Sequence, residues 1–187
     1  MPLQNRVDPF GELIAAPARG LFFGNRGGRI HTADRKLGKR RWASKQWICC
    51  VLRFKNRQRA VWGRSYTELF FLDEVTALAA GHRPCFECRR REANEFAARW
   101  QSAFGLGAPP RAPEMDEVLH AERLQGRQKR LHESQAGDLP DGAMIALDGE
   151  AFAVHGNSLL HWTPHGYDTR KLRLVSVVDV LTPPVIV

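Results

Sequence analysis

Cys85 and Cys88 stand three residues apart, just behind a Gly and a Pro, in the run ALAAGHRPCFECRRR over residues 77–91. The pattern predicts the opening of a helix there. A C-x-x-C pair can set both sulfurs on one tetrahedral Zn²⁺ at about 2.3 Å, with turn amides and a helix start facing the thiolates. A metal held in this way would organise the surrounding half of the chain. One pair is half a structural site, and redox dithiols share its spacing. The remaining cysteines, Cys49 and Cys50, are adjacent in the strand-like run QWICCVLRF. Neighbours on a regular strand face opposite ways, so both reach one ion only where the strand is kinked. A histidine is then expected as fourth ligand, and His31 in GRIHTAD is preferred to His82, although His82 lies three residues before Cys85. The expected set is Cys85 and Cys88 with Cys49, Cys50 and His31 around a structural zinc. The same cysteines also suit small buried apolar groups and a free dithiol.

The run FLDEVTALAAGHRPCFECRRRE, residues 71–92, resembles the second half of the N-terminal zinc domain of the Ada DNA alkylation-repair family. In that family a strand and a short helix lead through an ALAAG-F-RPC-x-x-C turn to the last two metal cysteines. Cys85 and Cys88 match those two, and Ala79, Ala80, Gly81, Arg83 and Pro84 match the turn. The family's first pair, C-x-x-x-C, has no counterpart in this sequence. A cysteine of that pair accepts the methyl group from a DNA phosphotriester. The resemblance therefore implies a metal-ribbon scaffold and contact with DNA, not methyl transfer. The wider pattern of RWASKQWIC, YTELFFLDE and RPCFECRR is also similar to a bacterial family of this general size, which supplies no function.

Charge is distributed unevenly. Residues 19–64 hold fourteen of the 28 Lys and Arg against one acid, Asp34, while the rest of the chain holds fourteen against nineteen. The two segments are thus +13 and −5 within a net +8. Such a surface attracts a polyanion from a distance and binds it with strong salt dependence; a solvated face neutralised by the acidic half is the plainer alternative. Trp42, Trp47 and Trp62 interleave with Arg40, Arg41, Lys45 and Arg53, a combination that single-strand binders use. Trp47 is assigned to the core and Trp42 to an exposed stacking position. Lys55 and Arg57 extend the basic run. Arg89, Arg90 and Arg91 crowd a first helical turn, where a phosphate, or Glu92 and Glu95, would compensate. The expected partner is nucleic acid, DNA foremost, and about six neutralised phosphates would give a log–log salt slope near −5 on a duplex.

At 187 residues and 43% apolar content the chain suffices for one packed domain or two small ones. No run approaches eighteen apolar residues, and MPLQNRVDPFGEL lacks the basic-then-apolar layout of a secretion signal, so a cytoplasmic protein without disulfides or membrane span is expected. Residues 1–27 read as loop or arm. Strands are expected over 46–54 and 59–64, joined by a turn at 55–58, and over 66–72. Asp73 and Gly81 should cap a helix over 74–80, and Pro84 should open another running to about residue 104. After a linker at 105–113 come a helix over 114–133, strands at 143–147, 151–155 and 159–162, and a last strand over 172–180. The fold class is α+β: a treble-clef-like or ribbon-like metal module with a β-hairpin and helices over residues 1–104, then a helix and a small antiparallel β-meander over 114–187.

Other groups carry rival chemistry. Asp116 and His120 share a helix face at i and i+4 near Glu122, an arrangement suited to a general base, so a nucleic-acid-processing enzyme such as a nuclease is one rival. The run HWTPHGYDTR, residues 161–170, reads as a loop in which Trp162 or Tyr167 stacks a base while Arg170 meets a phosphate, or as a turn with its rings in the core. A small-molecule or protein-binding module with a pocket in the meander is a third possibility.

Overall fold

Six short strands from the first half of the chain build one mixed sheet: β1 (Arg6–Val7), β2 (Leu13–Ile14), β3 (Phe22–Arg26), β4 (Trp47–Val51), β5 (Leu69–Phe71) and, after helix α1 (Glu74–Ala79), β6 (Arg83–Pro84). The computed structural model describes residues 1–58 and 60–187. The strand order is β2-β1-β5-β3-β4-β6. Strand β3 is antiparallel to β4 and β5, whereas β1 runs parallel to β5 and β6 parallel to β4. The amino-terminal stretch expected as an arm thus contributes β1 to β3. Phe22 and Phe23 pair with Val51 and Cys50, a partnership that the Gly and Asn of FFGNR conceal from any period-two pattern. The second arm of the expected hairpin is missing: β4 stops at Val51, residues 60–64 are turn and bend, and Arg59 lies outside the described residues.

Asp73 caps α1 by accepting a hydrogen bond from the Thr76 N–H at 2.8 Å, and Gly81 follows in the left-handed region at φ +81°. Pro84 does not open a helix. It sits in edge strand β6, where a missing N–H leaves no ladder bond unmet, and α2 starts later, over Arg90–Ala103. Helix α3 (Ala112–Arg123) begins inside the expected linker, with Pro113 in its first turn and Glu114 Oε2 accepting from the Arg111 N–H at 2.7 Å. It also ends early. The chain turns at Gly126 (φ +64°) between β7 (Leu124–Gln125) and β8 (Gln128–Lys129).

The second sheet is antiparallel throughout, in the order β13-β12-β11-β10-β14-β9. Its members are β9 (His132–Gln135), β10 (Met144–Leu147), β11 (Glu150–His155), β12 (Ser158–Thr163), β13 (Gly166–Leu172) and β14 (Val177–Val180). The expected meander is present, and it is longer than expected. Residues 161–170 form the β12–β13 hairpin rather than a loop, and the expected last strand divides between β13 and β14.

Helix α1 lies between the sheets. Ala77 and Ala80 pack with Leu69 and Phe71 on one side; Val75 and Ala79 meet Met144, Ala151 and Ala153 on the other. Trp162 Nε1 donates to Thr76 Oγ1 at 2.9 Å and the Tyr167 hydroxyl to Asp73 Oδ2 at 2.8 Å, so both rings of the 161–170 run belong to this shared core. At about 1.5–3 kcal/mol for each large apolar side chain removed from water, this seam binds the two sheets into one structure. Helices α2 and α3 meet through Trp100, Ala97, Met115 and Leu119, and a buried two-pronged ion pair, Arg83 to Asp116 at 2.8 and 2.7 Å, ties α3 to β6. No helix among the described residues is long and apolar enough to cross a membrane.

Candidate metal centre and basic groove

Strand β4 sends alternate side chains to its two faces. Cys49 joins Leu69 and Phe71 in the core against α1, while Cys50 joins Phe23 and Cys85 on the other face. The parallel pairing of β6 with β4, continued by the Cys85 N–H donating to the Cys49 carbonyl at 3.0 Å, carries Cys85 to that second face. Cys88 follows in the turn before α2, where the Arg89 N–H donates to the Cys85 carbonyl at 2.9 Å. The sulfurs of Cys50, Cys85 and Cys88 lie within 4.8 Å of one another, close enough to hold a metal ion. Sulfurs on one tetrahedral zinc at 2.3 Å would stand about 3.8 Å apart, so small adjustments suffice.

The three thiols shift one another's acidity. Hydrogen bonds to Cys85 and Cys88 hold the Cys50 proton in place and raise its pKa. The same bond from Cys50, opposed by burial and helped by the N–H groups of Cys88 and Glu87, draws Cys85 down to about 5; Cys88 is lowered as well, again chiefly by Cys50. Sulfurs in this state are ready donors for a borderline-soft cation, and three of them leave a fourth position on a tetrahedral ion.

Cys49 and His31 are not part of this cluster. Burial pushes the Cys49 thiol up to about 12, and its sulfur accepts from Arg89 Nη1 at 3.5 Å. Both His31 ring nitrogens are engaged, Nδ1 with Thr67 Oγ1 at 2.6 Å and Nε2 with the Gly63 carbonyl at 2.9 Å, and the ring stacks on Trp62. His82 is fully buried, beside Trp47 and Phe71.

The basic residues separate into unlike environments. Arg40, Arg41 and Trp42 line an open groove together with Lys39 and Arg127, with about 870 Å³ of empty space and no carboxylate on its walls. Trp42 is half-buried and meets the His120 ring edge-on at 5.7 Å. Lys45 pairs with Glu117 and Arg57 with Glu87; Arg53 is exposed, and Lys55 and Arg57 flank the Phe54 ring. Arg90 and Arg91 are exposed at the start of α2, the latter paired with Glu92 at 3.0 Å. Arg89 departs from the expected phosphate contact: it is buried, bonded to Glu74 at 2.7 Å, and lies over the Phe22 ring.

The Asp116–His120 pairing does not form. Asp116 turns to Arg83, His120 Nδ1 faces Arg123 Nη2 at 2.9 Å, and Glu122 accepts from the Val185 N–H at 2.9 Å. Arg26, Arg123 and Lys129 are the residues that sequence reasoning missed. They come from β3, α3 and β8 and line a narrower cleft next to the groove, which shares Arg41, Trp42 and Arg127 with it. Their separation along the chain hides them; a Gly126 turn that brings Lys129 back toward Arg123 is the single local signal.

Fold and site define an α+β protein with a three-cysteine cluster able to hold a metal and, apart from it, a carboxylate-free basic groove. No protein-family model, curated protein or solved structure matches the chain.

Proposed function

We propose that this protein binds nucleic acid, single strands or DNA with exposed bases, through the groove of Lys39, Arg40, Arg41, Trp42 and Arg127, and that a zinc ion on Cys50, Cys85 and Cys88 stabilises the fold presenting it. The groove carries the reading: four cations and an indole line one open surface with no acid among them. Cations track a phosphate backbone, and an aromatic face stacks a base of any identity. Zinc suits the sulfur donor set, and a C-x-x-C turn leading into α2 supports the ribbon-like or treble-clef-like description of this half. A reduced cytoplasm would keep the sulfurs free for it.

Fluorescence anisotropy with a labelled single-stranded oligonucleotide, titrated between 50 and 200 mM salt, tests the groove. Four neutralised phosphates predict a log–log slope of about −3 on a single strand. Charge reversal at Arg40 and Arg41 should remove most of the binding. An affinity that hardly moves with salt, or that survives the reversal, contradicts the proposal.

A further inference from the structure

The cleft beside the groove collects more positive charge than its acids balance. Arg26 and Arg123 are 2% and 1% exposed, and Lys129 is half-buried. Among the described residues none of the three forms an ion pair. Arg26 donates to the carbonyl of Gly11 at 2.7 Å, Arg123 to those of Gly81 at 2.8 Å and Lys45 at 2.6 Å, and Lys129 to that of Ala79. Both guanidinium groups lie over the Trp47 ring, 3.8 and 4.0 Å from its centre. Arg123 Nε has no partner, and neither has Nδ1 of His82, whose Nε2 is 3.4 Å from Arg26 Nε. Arg41 and Arg127 stand at the mouth, bonded to the Gly38 and Lys39 carbonyls. Against these five cations stand Glu12, on the wall, and Asp8, near enough for both Arg26 and Lys129 to feel.

Bringing like charges together out of water is strongly unfavourable unless a counter-charge or fixed dipoles compensate, and carbonyls alone do so incompletely. Burial, with Arg26 and Arg123 close by, drives the Lys129 pKa down to about 7, and the charge of Asp8 offsets this only in part. The packing is nonetheless specific. A side chain on Gly81 would place its Cβ 2.6 Å from Arg123 Cδ, so this left-handed glycine leaves the space that Arg123 occupies.

We infer that this cleft is a binding site for a phosphate monoester dianion, held by Arg26, Arg123 and Lys129, whose organic part emerges past Trp42 into the groove. Two charges on the ligand suit an excess of three cations better than the single charge of a diester. The cleft is narrow and largely enclosed, with about 340 Å³ of empty space including its mouth, so it admits the end of a chain and not a backbone continuing on both sides. Trp42 lines both spaces, which offers a flat group on the ester a stacking face. A free nucleotide and the phosphorylated end of a strand share this chemistry. The site centres on Arg26, Arg123 and Lys129, none of which lines the groove, shares Arg41, Trp42 and Arg127 with it, and goes beyond the nucleic-acid role proposed above.

Calorimetry with inorganic phosphate, with adenosine monophosphate and with adenosine, alongside anisotropy with one oligonucleotide carrying a 5′-phosphate or a 5′-hydroxyl, tests the site. Phosphate and the monophosphate should bind once per chain, and adenosine should not. The phosphorylated strand should bind on the order of tenfold more tightly than the hydroxyl form. That preference should vanish in Lys129→Gln and weaken in Arg127→Ala, whose exposed position spares the fold. Strands bound equally with either end, together with no heat from phosphate or the monophosphate, overturn the site while leaving the groove intact. Monophosphate binding in a protein that ignores both strands keeps the site, assigns it to free nucleotides and removes the nucleic-acid role. Phosphate binding unchanged in both variants places the anion elsewhere and also overturns the inference.

Discussion

The two faces of β4 carry opposite chemistry, sulfur donors on one and buried cations on the other. On one face Cys50 meets Cys85 and Cys88, three sulfurs close enough to hold a metal ion. On the other, Trp47 carries Arg26 and Arg123, neither of which forms an ion pair among the described residues. The contrast with the other buried charges of the same chain is instructive: Arg83 has Asp116 and Arg89 has Glu74. Where a buried charge serves the fold alone its partner is built in, and the ligands proposed above would supply the counter-charge at the sulfur cluster and the cationic cleft.

The metal face should show the larger response. Removing zinc with a chelator should lower the melting midpoint of the zinc-loaded protein by roughly 10 °C, since binding to the folded sulfurs is itself folding energy. A midpoint indifferent to both chelator and added zinc would reduce that face to an ordinary packed core. On the other face, Gly81→Ala combines an unfavourable φ with a clash against Arg123 and should cost about 2 kcal/mol in chemical denaturation; a neutral result would mean that Arg123 is free to move and that the cleft is soft.

The pH dependence sharpens the comparison. Lys129 titrates at about 7 in the fold against an ordinary 10.5, so between those values the unfolded chain holds the proton more tightly and stability rises with pH. Asp8, which burial raises to about 6, is already ionised in this window, and Arg26 and Arg123 keep their charge at neutral pH although burial lowers both. From pH 7 to 8.5 the wild type should gain on the order of 1 kcal/mol more than Lys129→Gln, and saturating phosphate should flatten the difference. Parallel curves would show that the ammonium is not enclosed. The smallest effect belongs to the rim: Arg40→Ala should reduce the single-strand salt slope by about 0.7. An unchanged slope would take that side chain off the backbone path.

Legibility in the sequence followed the range of the forces involved. Asp73, α1 and the left-handed Gly81 were readable because capping is local, and β10 to β12 because alternation with Gly turns is local too. The C-x-x-C pair was equally plain. That Cys49 and Cys50 diverge follows from strand geometry, but which of them faces Cys85 depends on β6 lying beside β4, a long-range pairing. Strand β3 was invisible because its stability comes from two neighbours rather than from its own residues. The cationic cleft was least legible of all, since residues 26, 123 and 129 meet only after α1, α3 and the Gly126 turn are in place.

The division of β4 into two faces is tested most directly by metal content. Zinc per chain should be measured by elemental analysis after zinc loading in three proteins: wild type, Cys50→Ser and Cys49→Ser. One zinc in the wild type and in Cys49→Ser, with little or none in Cys50→Ser, is the predicted result. Zinc kept by Cys50→Ser and lost by Cys49→Ser, or absent from all three, would contradict the assignment.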